Sequence, residues 1–202
     1  LNDQTLAVAS TPIQAAGIVG VSEVVDRAVK LSEPGSLQEG WLRTRQVTGN
    51  HVERSIETLK AAHQIADDHG NLALRARVYG HFTRLYSWDD NPETAIEHAK
   101  KSEGIAREAD EPLSEGMATG YIEHSYLALE RADEALACAQ SAIEISEKIR
   151  DNDILARGML AQHMVGMLKG DWELARTAAG AAAPLFTGRH YNYYNSLELA
   201  YR

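Results

Sequence analysis

The chain has 202 residues, a formal net charge of −9 and a hydrophobic share of 44%, which fits one globular domain or one repeat array. The acidic balance argues against direct binding to nucleic acid or to an anionic membrane surface, because both attract clustered lysine and arginine. Cys138 is the only cysteine, so an internal disulfide and a CxxC metal or redox motif are excluded. The sequence contains no signal peptide and no membrane-length apolar run, and we therefore expect a cytoplasmic protein.

The sequence predicts helices from end to end and no strands, because its apolar residues recur at helical spacing. One set of helices, which we name B helices, is predicted near 12–31, 52–68, 92–108, 132–149 and 172–187. A second set, the A helices, is predicted near 36–48, 72–88, 113–128 and 153–168, with a further one from about Tyr191. Since the chain begins without Met and ends within a predicted helix, we expect it to be a piece of a larger protein.

Residues that favour helix ends separate these segments. Asn50, Asn91 and Asp171 are predicted to cap B helices with their side chains, and Pro92 suits the first helical position. Gly70 and Asn71 are predicted to end one helix and to cap the next. Similar turns are predicted at Glu111-Pro112 and at Asp151-Asn152-Asp153.

The pattern repeats every forty residues. Pairs that fall in register in the B helices are Ser55-Ile56, Ala95-Ile96, Ala135-Leu136 and Ala175-Arg176. Small residues recur seven positions, or two helical turns, later at Ala62, Ser102, Ala142 and Ala182. Such fixed self-similarity is typical of repeat architectures, and small residues let neighbouring helices pack closely. The sequence therefore predicts an all-α solenoid of about five antiparallel helix pairs over residues 1–202, forming a single repeat domain.

The A helices carry glycines at the same spacing, at Gly40, Gly80 and Gly120. A glycine inside a helix costs about 1 kcal/mol relative to alanine, so its recurrence needs a reason. We predict that the backbone is contacted at this position and that no room is left for a side chain.

The order of the small residues resembles the tetratricopeptide repeat (TPR), which places a Gly or Ala in helix A and alanines in helix B. The resemblance is carried by Gly80 with Ala95 and Ser102, and by Gly120 with Ala135 and Ala142. It covers nearly the whole chain, although the period is forty in place of about thirty-four and the usual aromatic positions are mostly absent. It implies a right-handed superhelix.

The longer period and the segments GDWELAR (170–176) and AREADEPLSEG (106–116) resemble a narrower group. They are similar to the helical-repeat region of large bacterial signalling proteins, which join an ATPase module to a LuxR-type DNA-binding or nucleotide-cyclase domain. This resemblance implies a sensor or scaffold role in a signalling protein or transcriptional regulator. The implied partner is a peptide, a protein segment or a neighbouring domain of the same polypeptide.

In TPR arrays the concave surface is lined by A-helix residues around the small position. Carried over to this chain, the resemblance implies a partner-binding groove formed by Trp41, Arg77, His81, Arg84, Met117, Tyr121, His124, Arg157, Met164 and Tyr201. One register in this set is spaced by forty and consists of Trp41, His81, Tyr121, Ala161 and Tyr201, of which four carry rings. These rings either line a groove that suits an extended or acidic peptide, or pack between repeats and bind nothing.

Three functions are compatible with this pattern: a protein-interaction or sensor module, a small-molecule sensor, and an architectural spacer that self-associates, for example as a homodimer. No catalytic residue, cofactor or metal is expected. The eight histidines form no HExxH motif, and the sequence has neither a GxSxG elbow nor a P-loop. Cys138 lies at a small-residue position of a B helix, where a buried inert thiol is expected.

Overall fold

The computed structural model describes residues 21–47 and 51–186, and within those ranges the chain forms α-helices and no strands. The helices are α1 (Val21–Leu31), α2 (Leu37–Arg45), α3 (Val52–Asp68), α4 (Leu72–Trp88), α5 (Pro92–Glu108), α6 (Pro112–Ala128), α7 (Ala132–Ile149), α8 (Asn152–Lys169) and α9 (Trp172–Ala182), followed by a 3₁₀ turn at Ala183–Phe186. The all-α prediction is confirmed, and most helix boundaries fall within a residue or two of those predicted. The predicted start of the first B helix, the predicted cap Asn50 and the helix from Tyr191 lie outside the described residues.

The helices alternate between the two predicted sets, with α2, α4, α6 and α8 as A helices and the odd-numbered ones as B helices. The extensive contacts in the described part of the chain join each helix to the next one along the sequence, or join one A helix to the following A helix. No two B helices share such an extensive contact there. The A helices therefore form the inner layer of the solenoid, and the B helices lie outside them.

The turns between helices share one backbone conformation, which recurs every twenty residues. The turn residue has a positive φ of 53° at Asp90, 50° at Asp110, 58° at Glu130 and 56° at Arg150, and of 59° at Gly70. The residue after it donates a backbone hydrogen bond five positions back, as from Asn91 N to Tyr86 O (3.1 Å). This is the left-handed turn that commonly ends helices. The sequence predicts this left-handed turn only where glycine occurs, as at Gly70. At the other four turns the left-handed residue is charged, and charged residues do not by themselves indicate this conformation.

Helix caps agree with the sequence prediction at most turns. The side chain of Asn71 accepts from Leu74 N, that of Glu111 accepts from Ser114 N, and that of Asp171 accepts from Leu174 N. Asp151 accepts from both Asp153 N and Ile154 N. Asn91 lies at the predicted N-cap position, but its side chain makes no capping hydrogen bond. The position was predicted correctly and the side-chain hydrogen bond was not.

Small residues of the B helices fill the space against the A helices, as predicted. Ala62, Ser102 and Ala142 have no exposed surface. Ser102 Oγ donates to Ala76 O across the helix pair (2.8 Å), which satisfies a hydroxyl that would otherwise be buried without a partner. Larger buried side chains such as Leu59 and Leu74 close the remaining gaps.

The glycine prediction holds at one position and is wrong at two. A Cβ atom at Gly40 would lie 2.6 Å from Leu74 Cδ2, whereas at Gly80 and Gly120 the nearest atoms are 3.4 and 3.7 Å away, which leaves room for a methyl group. The close backbone contacts occur elsewhere. At Gly166 a Cβ would lie 2.7 Å from Ala175 N, and at Gly158 it would lie 2.9 Å from Ala139 O.

Candidate functional site: rings and arginines on the A helices

Six side chains of the A helices contact one another across successive repeats. We name Trp41, Arg77, Arg84, Trp88, Tyr121 and Arg157 the ring–guanidinium row. Arg77 Cζ lies 5.3 Å from the Trp41 ring centre, and Arg84 Cζ lies 5.7 Å from Trp88 and 5.9 Å from Tyr121. Arg157 Cζ lies 4.2 Å from the Tyr121 ring, and Trp88 meets Tyr121 edge to face at 6.1 Å. Each guanidinium is attracted by the electron-rich face of its ring.

Polar contacts to neighbouring helices hold two of these arginines. Arg77 Nε donates to Ser114 Oγ (2.9 Å), and its Nη2 pairs with Glu111 Oε1 (2.5 Å). Because Glu111 also caps α6, this ion pair fixes Arg77 to the start of the next A helix. Arg84 Nη2 donates to Val47 O (3.0 Å), just after the end of α2, and so links α4 to the preceding A helix.

Exposure varies strongly along the row. Arg77, Arg84 and Tyr121 are buried, so these side chains also fill the interface between repeats. Trp41 and Arg157 are half-buried. Trp88 is 53% exposed, which leaves most of an indole ring open to solvent beside the buried arginines. The row therefore combines buried arginine side chains with exposed aromatic surface.

His81 lies between Arg77 and Arg84 on α4 and is buried, with 1% of its surface exposed. Burial lowers the pKa of His81 well below its usual value, and the positive charges of Arg84, Arg77 and Arg45 lower it further. Burial and the charge of Arg77 also lower the pKa of Arg45 on α2 to about 10. Positive charges of three arginines therefore act on the buried ring of His81.

The remaining predicted groove residues differ in their surroundings. Met117 is buried and lines a shallow pocket together with Tyr121, Ile154 and Arg157. His124 is partly exposed, and its hydrogen bond with Glu123 (3.3 Å) raises its pKa. Met164 is half-buried on α8 and is not among the side chains that the row brings together. Tyr201 lies outside the described residues.

Three contributors were missed by the sequence analysis. Trp88 lies one turn after Arg84, so extending the predicted face by one more turn of α4 would have included it. Glu111 was assigned only a capping role, and Arg45 was not considered. The sequence does not reveal either contribution, because Glu111 pairs with Arg77 from another repeat and the charge of Arg45 acts from another helix.

A second ring cluster lies on the side of α4 that faces the B helices. His98 of α5 is stacked on Phe82 (4.9 Å) and on Tyr86 (5.2 Å), and Tyr79 contacts both His63 and His98. Burial, aided by Lys101, lowers the pKa of His98. These rings pack α4 against α5 within one helix pair and, through His63, against α3.

Two further searches covered the described residues only. Across 21–47 and 51–186, no group of three or more His, Cys, Asp or Glu side chains is arranged to hold a metal ion. In the same ranges no helix combines the length and apolar character needed to cross a membrane.

Comparison with known proteins gives the class of fold. No protein-family model matches the chain, and no curated protein sequence matches it. Among solved structures, it resembles a signal transduction ATPase with numerous domains (STAND) that carries a tetratricopeptide repeat sensor, from Pyrococcus horikoshii, with a TM-score of 0.64 and 15% identity. That match covers 90% of this chain and 29% of the STAND protein.

Two related structures agree with this assignment. A protein from Podosopora anserina described as a kinesin light chain with nearly identical TPR-like repeats gives a TM-score of 0.55 at 13% identity, covering 90% of this chain and 93% of that one. A substituted form of the same protein gives 0.57 at 13% identity, with coverage of 90% and 92%. The chain is thus a TPR-like helical repeat protein in its fold.

Proposed function

We propose that this chain is a non-catalytic protein-interaction scaffold, which binds a peptide or a segment of a protein along the ring–guanidinium row. The observation that carries the proposal is the exposed Trp88 ring beside buried arginine side chains. Tryptophan and arginine are the residues that most often dominate binding energy at protein interfaces. Here both occur together, and the Trp88 ring is already packed edge to face on Tyr121, so little conformational entropy of that ring is lost on binding.

The charge distribution supports an acidic partner segment. The chain has a net charge of −9, yet the row brings three arginines together on the A helices. Arg77 is paired with Glu111 and Arg157 with Asp153, whereas Arg84 has no ion pair among the described residues. A negatively charged segment is repelled by most of the surface and attracted to this face, which favours one binding position over others.

The proposal is tested by selecting peptides from a random phage-displayed library and measuring their affinity by fluorescence polarisation. Trp88→Ser is expected to weaken the selected peptides at least about tenfold, as for a residue at the centre of an interface. Trp172→Ser is the matched control, because Trp172 is also exposed (62%) but lies on the B helix α9. Failure to enrich any peptide, or equal effects of the two substitutions, would contradict the proposal.

We also propose that the chain is the repeat region of a larger cytoplasmic signalling protein, possessing neighbouring domains that respond when the solenoid tightens on a partner. The support is the resemblance to the STAND protein, of whose length this chain matches 29%. Recovery of the complete reading frame tests this. An ATPase or cyclase module and a DNA-binding domain are expected beside the repeats, and a reading frame that encodes the repeats alone would contradict it.

A further inference from the structure

His81 is a buried side chain whose hydrogen-bonding capacity is unused. Neither Nδ1 nor Nε2 has a hydrogen-bond partner in the described part of the chain, although only 1% of the residue is exposed. A neutral imidazole offers one donor and one acceptor, and leaving both unsatisfied in the interior is unfavourable. Buried polar groups in folded proteins are nearly always paired, so an unpaired one indicates a missing partner.

The charges around His81 show which kind of partner is missing. Arg77 and Arg84 flank it on α4, and their charges, together with that of Arg45 on α2, lower its pKa. From α6, Glu111 pairs with Arg77, and the Tyr121 ring lies under Arg84. Within the described residues Arg84 forms no ion pair, bonds only the neutral carbonyl of Val47, and keeps its Nε without a partner. Arg84 is therefore a buried guanidinium group without an ion pair among the described residues, beside an imidazole without a hydrogen bond.

A carboxylate would supply both the missing hydrogen-bond acceptor and the missing negative charge. Its two oxygens can accept from Arg84 Nε and from an imidazole N–H of His81, and its negative charge offsets the positive charge of Arg84. A water molecule could satisfy the hydrogen bonds but would leave the charge unbalanced. A neutral amide would do the same.

We propose that Arg84 and His81 receive an acidic side chain of the partner segment, and that His81 takes up a proton as this carboxylate enters. The inference rests on the proposed function, since it names the chemistry of the segment that the row binds. Entry requires the arginine side chains to shift, because His81 is covered in the structure, and their long aliphatic stems permit this. The imidazolium then donates from both ring nitrogens.

Proton uptake gives the binding a defined pH dependence. In the free protein, burial and the three arginines hold the pKa of His81 well below its usual value, so the ring is neutral near pH 7. A carboxylate in contact favours the charged form and raises this pKa. Affinity therefore increases as pH falls from about 8 to about 6, where glutamate side chains are still ionised.

The first test uses the complete chain and a fluorescein-labelled hexaglutamate peptide with both ends blocked, compared with hexaglutamine. Fluorescence polarisation at constant ionic strength is expected to give about a tenfold tighter dissociation constant at pH 6 than at pH 8, or about 1.4 kcal/mol in binding free energy. In His81→Gln the dependence on pH is lost, and Arg84→Gln weakens binding at both pH values. His51→Gln is the control, because His51 is exposed and its side chain makes no capping bond.

A second measurement keeps the test valid if a variant does not fold. The ring signal of His81 is followed by NMR against pH in sodium chloride and in sodium sulfate of equal ionic strength, with sulfate as a doubly charged probe of the cluster. A higher apparent pKa in sulfate supports an anion site, and equal values overturn it. If hexaglutamate does not bind, or binds with unchanged pH dependence in His81→Gln, the inference fails. If the library-selected peptides still depend on Trp88, the proposed function survives that failure.

Discussion

At Gly166 the backbone of the following helix occupies the space where a side chain would begin. A Cβ atom there would lie 2.7 Å from Ala175 N and 2.9 Å from Asp171 O, neither of which can move without displacing α9. At Gly80, the nearest atom is the side-chain oxygen of Ser102 at 3.4 Å. Two helix glycines with the same propensity cost therefore have different structural reasons to be present.

The difference predicts opposite effects of the same substitution. Gly166→Ala is expected to lower the free energy of unfolding by about 1–3 kcal/mol, the usual cost of overpacking. Gly80→Ala is expected to be neutral or to raise it by up to about 1 kcal/mol, because alanine is the better helix former. Urea unfolding followed by far-UV circular dichroism measures both, and a Gly166→Ala protein as stable as wild type would refute the first.

Cys138 is a half-buried thiol whose chemistry is set by its neighbours. Burial raises its pKa to about 12, and the carboxylates of Glu103, Glu123 and Glu134 contribute in the same direction. Since only the thiolate is nucleophilic, a raised pKa lowers the reactive fraction at any pH below it.

Alkylation by iodoacetamide is therefore expected to be slow in the folded protein. At mildly alkaline pH the thiolate fraction should be about a thousandfold lower than for an ordinary cysteine, since each pKa unit changes it tenfold. The rate should increase with pH for as long as the protein stays folded. Mass spectrometry of timed samples gives this rate, with the urea-unfolded chain as reference, and equal rates in both would contradict the expectation.

At the scale of elements, the turns repeat at half the period of the helix pairs. Each described turn from Gly70 to Gly170 places one residue in the left-handed region, although four of these residues are not glycine. A non-glycine residue in this conformation costs on the order of 1 kcal/mol because its Cβ crowds the following carbonyl. The turn brings the next helix back antiparallel, and the packing of that helix offsets the conformational cost.

This predicts a gain from placing glycine in such a turn. Glu130→Gly, at an exposed residue with a φ of 58°, should stabilise the chain by up to about 1 kcal/mol. Gly70→Ala should destabilise it by about the same amount, and no atom lies within 4 Å of the added Cβ to complicate the comparison. Thermal unfolding of the two variants beside wild type provides the measurement, and a shift of the same sign in both would refute the explanation.

At the scale of the whole molecule, the stability of the solenoid comes from contacts between neighbouring helices along the chain. The extensive contacts in the described part of the chain join helices that are adjacent, or adjacent within the A set. The free energy of such a solenoid is approximately a sum of repeat terms and nearest-neighbour interface terms. A local defect should therefore remain local.

Hydrogen exchange should reveal this directly. In Gly166→Ala, amide exchange is expected to accelerate in α8 and α9 by on the order of tenfold for each 1.4 kcal/mol lost, while α3 and α4 stay as protected as in wild type. Exchange followed by mass spectrometry of peptides resolves these helices. Uniform acceleration over all helices would mean that the chain unfolds as one cooperative unit.

The sequence alone determined the fold class, the period of forty and most helix boundaries. These follow from local causes: apolar spacing along one helix, residues such as Asn71 and Asp171 that cap the next turn, and small residues such as Ala62 and Ser102 that face the neighbouring helix. Each of these signals is confined to a few consecutive residues or to one repeat. A regular repeat then propagates them along the chain.

Only the tertiary structure decided which residues meet across repeats. It placed the tightest backbone contacts at Gly158 and Gly166 instead of Gly80 and Gly120, brought Trp88 into contact with Arg84 and Tyr121, and left His81 buried without a partner. Such contacts depend on the distance and rotation between helices twenty to forty positions apart, which are fixed by the combined volume of all intervening side chains. No single position in the sequence carries that information.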